Sequence, residues 1–168
     1  MIRRIAPALS RRSLTFAGLG LAFASTASRA FGDTASQFAV VKSDEEWKAE
    51  LTPAEYDVLR KHGTERPRSS PLDKLNAPGE YRCAGCSQPL FSSLTKYDSG
   101  TGWPSFYAPL PDAVGSSTDL KLIYPRSEIH CSRCGGHLGH VFDDGPAPTG
   151  KRYCMNGVAL EFVPSSDH

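Results

Sequence analysis

Residues 130–146 read HCSRCGGHLGHVFDDGP, and this stretch decides how the chain folds. Its C-x-x-C pair, Cys131 and Cys134, is typical of a knuckle, a tight turn in which two thiolates converge and the glycines that follow relieve backbone crowding. A second pair, Cys83 and Cys86, is separated from the first by 44 residues. Two knuckles brought together supply four sulfurs in a tetrahedron, so the sequence predicts one structural Zn²⁺. The alternatives are two redox C-x-x-C motifs, or disulfides formed after export.

Short β-rich runs surround the knuckles. They read YRC (81–83), PLFSS (89–93), LKLIY (120–124), HVF (140–142) and VALEFV (158–163), and clusters of Gly, Pro, Asp and Ser separate them. This spacing is typical of an antiparallel sheet or barrel. The sequence therefore predicts a mainly β protein.

Two short helices are predicted before the β-rich part. Ser43 begins an S-x-x-E capping box, and Thr52 begins a second one with proline at the first helical position. The second helix is expected to end near Lys61 and His62, with Gly63 in the left-handed conformation beyond it. Residues from there to 79 contain three prolines and predict a long surface loop.

The first 32 residues differ from the rest of the chain. They contain five arginines and no acidic residue, followed by a mildly apolar stretch rich in Ala, Gly and Ser. We interpret residues 1–32 as a signal or targeting peptide. The stretch SRRSLTF resembles a twin-arginine export signal, although Leu14 stands where that pattern prefers Phe, and export predicts a periplasmic or secreted protein. A mitochondrial transit peptide is the alternative.

Charge and hydropathy exclude two kinds of partner. The whole chain has 19 basic and 18 acidic residues, so removal of the five leader arginines leaves four more acidic than basic groups. Nucleic-acid binding needs a concentrated positive surface, and we expect none here. The apolar run 14–24 is too short to span a bilayer, so no membrane span is expected.

The fifth cysteine, Cys154, lies in KRYCMNGVAL (151–160). With four cysteines assigned to zinc, it has no partner, and a buried, inert thiol is one interpretation. In a strand, however, Arg152, Cys154 and Asn156 would point to one face and offer a cation, a thiol and an amide together. Because nearby cations favour the thiolate, this pattern predicts a reactive pocket.

Two further stretches carry candidate site residues. His137 and His140 are followed by Phe142 and two aspartates, and imidazoles beside carboxylates are the usual proton carriers near neutral pH. One histidine as a zinc ligand or a turn cap is the alternative. Trp103 lies in a Gly-rich turn, YDSGTGWPSFY (97–107), where its indole either walls an apolar pocket or belongs to the core.

The motifs CAGC, SGTGWPSF, HCSRCGGHLGHVFDDGP and RYCMNGVAL together resemble those of B-type methionine sulfoxide reductases, which reduce the R epimer of methionine sulfoxide. The similarity runs over residues 43–164, in the family's order, and includes HGTERP (62–67). It implies a reductase domain over this range. It also implies a fold of two antiparallel β-sheets in a barrel-like core, with short N-terminal helices and a structural zinc site made by the four knuckle cysteines.

The resemblance implies roles for single residues. Cys154 matches the nucleophile, and Trp103 matches the wall for the substrate's methyl group. His137 and His140 match the proton-donating side. The other implied pocket residues are Arg152 and Asn156 on the catalytic side, and Phe142 and Asp144 on the substrate-binding side.

The implied reaction is attack of the Cys154 thiolate on the sulfoxide sulfur of oxidised proteins or of free methionine sulfoxide, which leaves a sulfenic acid on Cys154. Many relatives carry SGCGWPSF with a resolving cysteine, but this chain has Thr101 there. We therefore expect an enzyme that needs an external thiol, such as thioredoxin, glutaredoxin or a small thiol. We also expect it to be a monomer. A non-catalytic zinc module and a thiol-disulfide oxidoreductase are the rival functions.

Overall fold

A computed structural model describes residues 37–119 and 125–165. The targeting peptide (1–32) and the predicted strand LKLIY (120–124) lie outside the described residues. The helices are α1 (Asp44–Glu50) and α2 (Pro53–Lys61). The strands are β1 (Gly79–Cys83), β2 (Pro89–Ser92), β3 (Lys96–Tyr97), β4 (Ser105–Phe106), β5 (Val114–Asp119), β6 (Arg126–Cys131), β7 (His137–Phe142), β8 (Arg152–Met155) and β9 (Leu160–Pro164).

The strands form two antiparallel sheets. One has three strands in the order β2-β1-β9, and the other has six in the order β3-β4-β8-β7-β6-β5. The mainly β prediction is confirmed, as is the pair of sheets. The barrel-like core is wrong for the described residues, because the two sheets share no strand pairing and both remain open.

Aromatic side chains form the core between the sheets. Tyr81 on β1, Phe91 on β2 and Phe106 on β4 are fully buried. The rings of Phe91 and Phe106 stack with centroids 4.3 Å apart, and Tyr81 meets Phe106 edge to face at 4.9 Å. Burial of such rings is among the largest apolar contributions to a core. Because β4 pairs with β8, this cluster also fixes the position of the strand that carries Cys154.

The helix starts agree with the sequence. The side chains of Ser43 and Thr52 each accept a hydrogen bond from the backbone of the third helical residue, and Glu46 and Glu55 complete the two capping boxes. Such caps satisfy backbone N–H groups that have no partner inside the helix. Among the described residues, no helix is long and apolar enough to cross a membrane.

The end of α2 differs in one residue from the prediction. His62, not Gly63, takes the left-handed conformation, with φ 57°. A Cβ atom at Gly63 would collide with the carboxylate of the exposed Asp57, so a larger residue here would require that side chain to move. The left-handed turn places His62 Nδ1 2.8 Å from a carboxylate oxygen of Glu128 on β6.

Candidate active site and metal centre

Cys154 lies near the centre of the six-stranded sheet. It pairs with Ser105 on β4 and with His140 on β7, so the sheet holds its backbone on both sides. Its side chain is only partly buried. A thiol that is held rigidly yet remains accessible is suited to nucleophilic attack.

A cleft of about 120 Å³ opens beside this thiol. Trp103 and Phe142 supply its aromatic surface, and His140 and Arg126 supply polar groups. Its full lining is Thr64, Trp103, Arg126, Gly139, His140, Phe142, Cys154 and Asn156. The cleft therefore combines an apolar wall, a thiol and an imidazole, which is sufficient to bind a small group and transfer a proton to it.

The loop after α2 forms one side of the cleft and is anchored by Glu65. The backbone carbonyl of Glu65 accepts a hydrogen bond from Trp103 Nε1 at 3.3 Å. Its carboxylate accepts from the backbone N–H groups of Gly157 and Val158, at 2.6 and 3.1 Å. The indole position thus depends on a residue 38 positions earlier in the chain.

Asn156 connects the same loop to the sheet. Its Oδ1 accepts a hydrogen bond from the Glu65 N–H at 3.0 Å, and its Nδ2 donates to the Leu138 carbonyl at 3.0 Å. The side chain is almost completely buried. Both functional ends of the amide are therefore occupied by backbone groups, which makes Asn156 a positioning residue of the cleft.

A row of hydroxyl groups leads away from the thiol. Thr101 Oγ1 lies 3.8 Å from Cys154 Sγ and 2.8 Å from Ser99 Oγ. Ser99 Oγ lies 2.7 Å from Ser105 Oγ, which donates to the Trp103 carbonyl at 3.1 Å. Thr101 is therefore close enough to Cys154 to exchange a hydrogen bond with its sulfur.

The two histidines have different surroundings. His140 Nε2 donates to Asp119 Oδ2 at 2.8 Å, and Arg126 donates to the same oxygen at 2.7 Å. His137 Nδ1 donates to Glu128 Oε1 at 2.6 Å. Only His140 lines the Cys154 cleft, while both histidines line a second, adjacent cavity.

Burial affects the protonation of His137 most. It lowers the pKa of His137, and the hydrogen bond to Glu128 opposes this shift without cancelling it. Burial raises the pKa of Glu128, but hydrogen bonds from Ser117 and His137 outweigh burial and leave that pKa below its ordinary value. The pair is therefore a neutral imidazole beside an ionised carboxylate near pH 7.

Arg152 and Asp144 form an ion pair beside the cleft. The guanidinium donates two hydrogen bonds of 2.8 Å to the carboxylate. This contact lowers the pKa of Asp144 and raises that of Arg152. The guanidinium also lies 4.3 Å from the centre of the Phe142 ring, so the pair supports the aromatic surface from behind.

The four knuckle cysteines converge at a separate place. Cys83 and Cys134 have their sulfurs 3.8 Å apart, and Cys86 and Cys131 have theirs 3.5 Å apart. Four sulfurs around a tetrahedral zinc, with bonds of about 2.3 Å, would be about 3.8 Å from one another. The cluster is therefore close enough to hold one metal ion, and no histidine of the described part of the chain belongs to it.

Comparison with known proteins gives a consistent result. Residues 51–164 match the SelR domain family. The chain is 59% identical over 128 residues to the peptide methionine sulfoxide reductase MsrB of Methanosarcina barkeri, which covers 76% of this chain and 90% of the relative. It is 53% identical over 126 residues to the MsrB protein of Agrobacterium fabrum, and this match covers 74% of the chain and 93% of the relative. It is 55% identical over 126 residues to the MsrB protein of Leptospira interrogans, and this match covers 74% of the chain and 96% of the relative.

The chain belongs to the SelR family. It is a peptide-methionine (R)-S-oxide reductase, as its motifs implied. The enzyme prediction is confirmed, which contradicts the rival function of a non-catalytic zinc module. The relatives are named as methionine sulfoxide reductases and not as thiol-disulfide oxidoreductases. Membership implies a sulfoxide substrate and a thiol reductant.

In this SelR enzyme the predicted site residues fall into three groups. The residues that share the cleft are Trp103, His140, Phe142, Cys154 and Asn156. Arg152 and Asp144 pair with each other, and His137 lines the adjacent cavity that His140 also lines. The Arg152 guanidinium binds the Asp144 carboxylate, and both ends of the Asn156 amide bind backbone groups.

Sequence reasoning missed several residues of the reductase site. These are Thr64 and Glu65 in the loop, and Asp119, Arg126 and Glu128 on β5 and β6. The loop pair lies within HGTERP, a motif noted only for its resemblance. The two strand carboxylates are hydrogen-bonded to the histidines, but nothing local in their sequence indicates this.

Replacing Glu65 by glutamine tests the loop anchor of the reductase. The glutamine amide has one acceptor oxygen for two backbone N–H groups and turns a donor toward one of them, so we expect about 1–3 kcal/mol lower stability. The Michaelis constant for sulfoxide should rise, because Trp103 hydrogen-bonds to the same residue. Thermal unfolding and steady-state kinetics measure both effects. Glu161→Gln, at an exposed position on β9, is the matched control, and equal melting temperatures for both variants would contradict the anchor.

Proposed function

We propose that this enzyme reduces methionine (R)-sulfoxide, chiefly in oxidised proteins, by attack of the Cys154 thiolate on the sulfoxide sulfur. The observation that carries this proposal is the Cys154 cleft. It surrounds an accessible thiol with an indole on one side and an imidazole on another. These three groups match the three needs of the reaction: a nucleophile, a wall for the methyl group and a proton donor for oxygen.

The proposed chemistry transfers one oxygen atom and two electrons. The sulfoxide sulfur becomes electrophilic when its oxygen is protonated or strongly hydrogen-bonded. The Cys154 sulfur then bonds to it, the oxygen leaves the substrate sulfur for Cys154, and methionine is released. Cys154 is oxidised to a sulfenic acid, which carries the oxygen and one proton, and the substrate sulfur is reduced by two electrons.

We assign proton donation to His140 rather than His137. His140 lines the Cys154 cleft, and the Asp119 carboxylate fixes the orientation of its ring. Burial lowers the pKa of His137, and this residue lines the adjacent cavity rather than the Cys154 cleft, so it suits a supporting role. This assignment narrows the sequence prediction, which gave the role to one or both histidines.

Selection of the R epimer follows from three fixed directions in the cleft. The methyl group would contact Trp103 and Phe142, and the oxygen would point toward His140. The remaining carbon chain would then lead to solvent, as a residue within a polypeptide requires. In the S epimer, two of these substituents exchange places, and the oxygen faces the aromatic wall.

Recycling of Cys154 should depend on an external thiol. Every other cysteine among the described residues belongs to the four-sulfur cluster, and Thr101 occupies the position near the sulfenic acid. A first thiol would convert the sulfenic acid to a mixed disulfide with loss of water. A second thiol would release Cys154. A thioredoxin-like protein, glutaredoxin or a small thiol has the required chemistry.

We further propose that the cluster holds zinc and that the enzyme acts outside the cytoplasm. Four converging thiolates suit Zn²⁺ better than harder cations. The Arg-rich, acid-free residues 1–32 support export by a twin-arginine-like route to the periplasm or medium, with mitochondrial import as the alternative. The proposed enzyme domain spans residues 43–164 and acts as a monomer.

Activity on the separated epimers tests the proposed stereochemistry. With dithiothreitol as reductant, wild-type protein should produce methionine from the R epimer and show no turnover of the S epimer. The same assay with a methionine sulfoxide in a peptide and with the free amino acid ranks the two substrate forms. Equal rates on R and S epimers would contradict the three-point arrangement in the cleft.

A further inference from the structure

A second cavity of about 360 Å³ adjoins the Cys154 cleft, and His140 lines both. We call it the polar chamber. Its lining consists of His62, Thr64, Thr118, Asp119, Arg126, Glu128, His137 and His140. Thr64, Arg126 and His140 belong to both the chamber and the Cys154 cleft, so the two cavities are adjacent.

Two imidazoles converge on a single carboxylate oxygen in this chamber. Nδ1 of His62 lies 2.8 Å from Glu128 Oε1, and Nδ1 of His137 lies 2.6 Å from the same atom. One ligand atom from each of the three residues lies within 4.8 Å of the others. His137 is 2% exposed and Glu128 8%, whereas the His62 side chain is 45% exposed. The cluster thus has two buried members and one that can move.

The donor set suits a transition-metal cation. Two histidines and one glutamate form a set found in zinc sites that keep further positions open. Bonds of about 2.0–2.1 Å would separate neighbouring ligand atoms by about 3.3 Å, so the nitrogens of His62 and His137, now 2.8 and 2.6 Å from Glu128 Oε1, must both move away from that oxygen. His62 has the freedom to do so, because it caps the end of α2 and is half exposed.

The surroundings of Glu128 also favour a cation. Ser117 donates to the second carboxylate oxygen at 2.8 Å, which orients the group as outer hydrogen bonds do at metal sites. Arg126, the cation of the chamber, is paired with Asp119 rather than with Glu128. In addition, Nε2 of the buried His137 has no hydrogen-bond partner among the described residues, so this nitrogen can carry the ring proton when Nδ1 binds a cation.

We propose that the polar chamber binds one divalent transition cation, such as Zn²⁺, through His62, His137 and Glu128, and that this cation inhibits the reductase. Binding follows from the donor set alone. Inhibition rests on the proposed function, since a cation would bind in a cavity that His140, the proposed proton donor, also lines, and it would pull His137 away from its present position. The site is separate from the cysteine cluster and uses nitrogen and oxygen ligands only.

Calorimetry tests the binding step without any need for activity. Zinc-loaded Cys154→Ser protein, which lacks the accessible thiol, is titrated with Zn²⁺. We expect one further equivalent to bind. Its affinity should fall at least 10-fold in protein that also carries His62→Gln or Glu128→Gln. His130→Gln is the matched control, since His130 lies on β6 and contacts Phe38 rather than the chamber. No further equivalent, or one that both chamber variants leave unchanged, would overturn the site.

Single-turnover kinetics tests the inhibition step. Wild-type enzyme with its cluster loaded is mixed with the (R)-sulfoxide in the absence of any thiol, so that no reductant competes for Zn²⁺. Added Zn²⁺ should slow methionine formation at least 10-fold, and EDTA should restore it, while His62→Gln enzyme should keep its own metal-free rate. Inhibition that persists in His62→Gln enzyme would overturn the proposal. Absence of turnover before Zn²⁺ is added would instead contradict the proposed function, and the calorimetric result would still decide the site.

Discussion

Replacing Cys154 by serine should abolish reduction of methionine (R)-sulfoxide while leaving the fold intact. A serine hydroxyl is a far weaker nucleophile toward sulfur than a thiolate and has no sulfenic acid state. Loss of a covalent nucleophile lowers turnover by several orders of magnitude, and we expect on the order of 10⁴-fold or more. The substitution replaces one sulfur atom by oxygen at a partly exposed position, so the melting temperature should be nearly unchanged.

Mass spectrometry after a single turnover provides the direct measurement. Without reductant, wild-type enzyme should gain one oxygen atom on the peptide that contains Cys154, in step with the methionine released. Cys154→Ser should gain none. Thr101→Ser is the matched control, because it keeps a hydroxyl group beside the thiol and should retain most activity. Activity in folded Cys154→Ser protein would show that another group attacks the sulfoxide.

The features that sequence predicted well are local in the chain. Both capping boxes depend on residues three positions apart, and the structure contains them at Ser43 and Thr52. The strands YRC, PLFSS and HVF coincide with β1, β2 and β7. VALEFV is interrupted by a 3-10 turn over Gly157–Ala159 before β9 begins. This turn is where the Glu65 carboxylate binds two backbone N–H groups, a contact that no local pattern encodes.

The surroundings of the site residues were harder to predict, because they depend on pairing between distant strands. Period-two alternation predicted Arg152, Cys154 and Asn156 on one face of a strand. The strand β8 contains Arg152 and Cys154 but ends at Met155, and the pattern could not show that Arg152 binds Asp144. Likewise, an aspartate beside the histidines was expected from HVFDDGP. The carboxylates that contact them are instead Glu128 on β6, which pairs with β7, and Asp119 on β5, which is the next strand beyond β6.

Loss of the metal from the cysteine cluster should unfold the reductase. The cluster joins the two sheets, because Cys83 ends β1 and Cys131 ends β6. The helices depend on it as well: Arg60 donates to the Cys134 carbonyl at 3.0 Å, and the buried Leu59 packs against the knuckle glycines. Structural zinc contributes about 10–16 kcal/mol to the folding of small zinc domains. The net stability of a domain is only about 5–15 kcal/mol, so the remaining contacts cannot offset the loss.

Cys83→Ser is the variant that separates this structural role from catalysis. It should lose the cooperative thermal transition, and a chromophoric chelator should find well below one zinc per chain. Cys154→Ser is its matched control, since it removes one thiol outside the cluster and should keep both the transition and one zinc. If Cys83→Ser protein melted like wild type, the four sulfurs would not hold the sheets together. A redox role for the C-x-x-C pairs would then explain their convergence better than a metal, because only a metal makes each of the four thiolates necessary for folding.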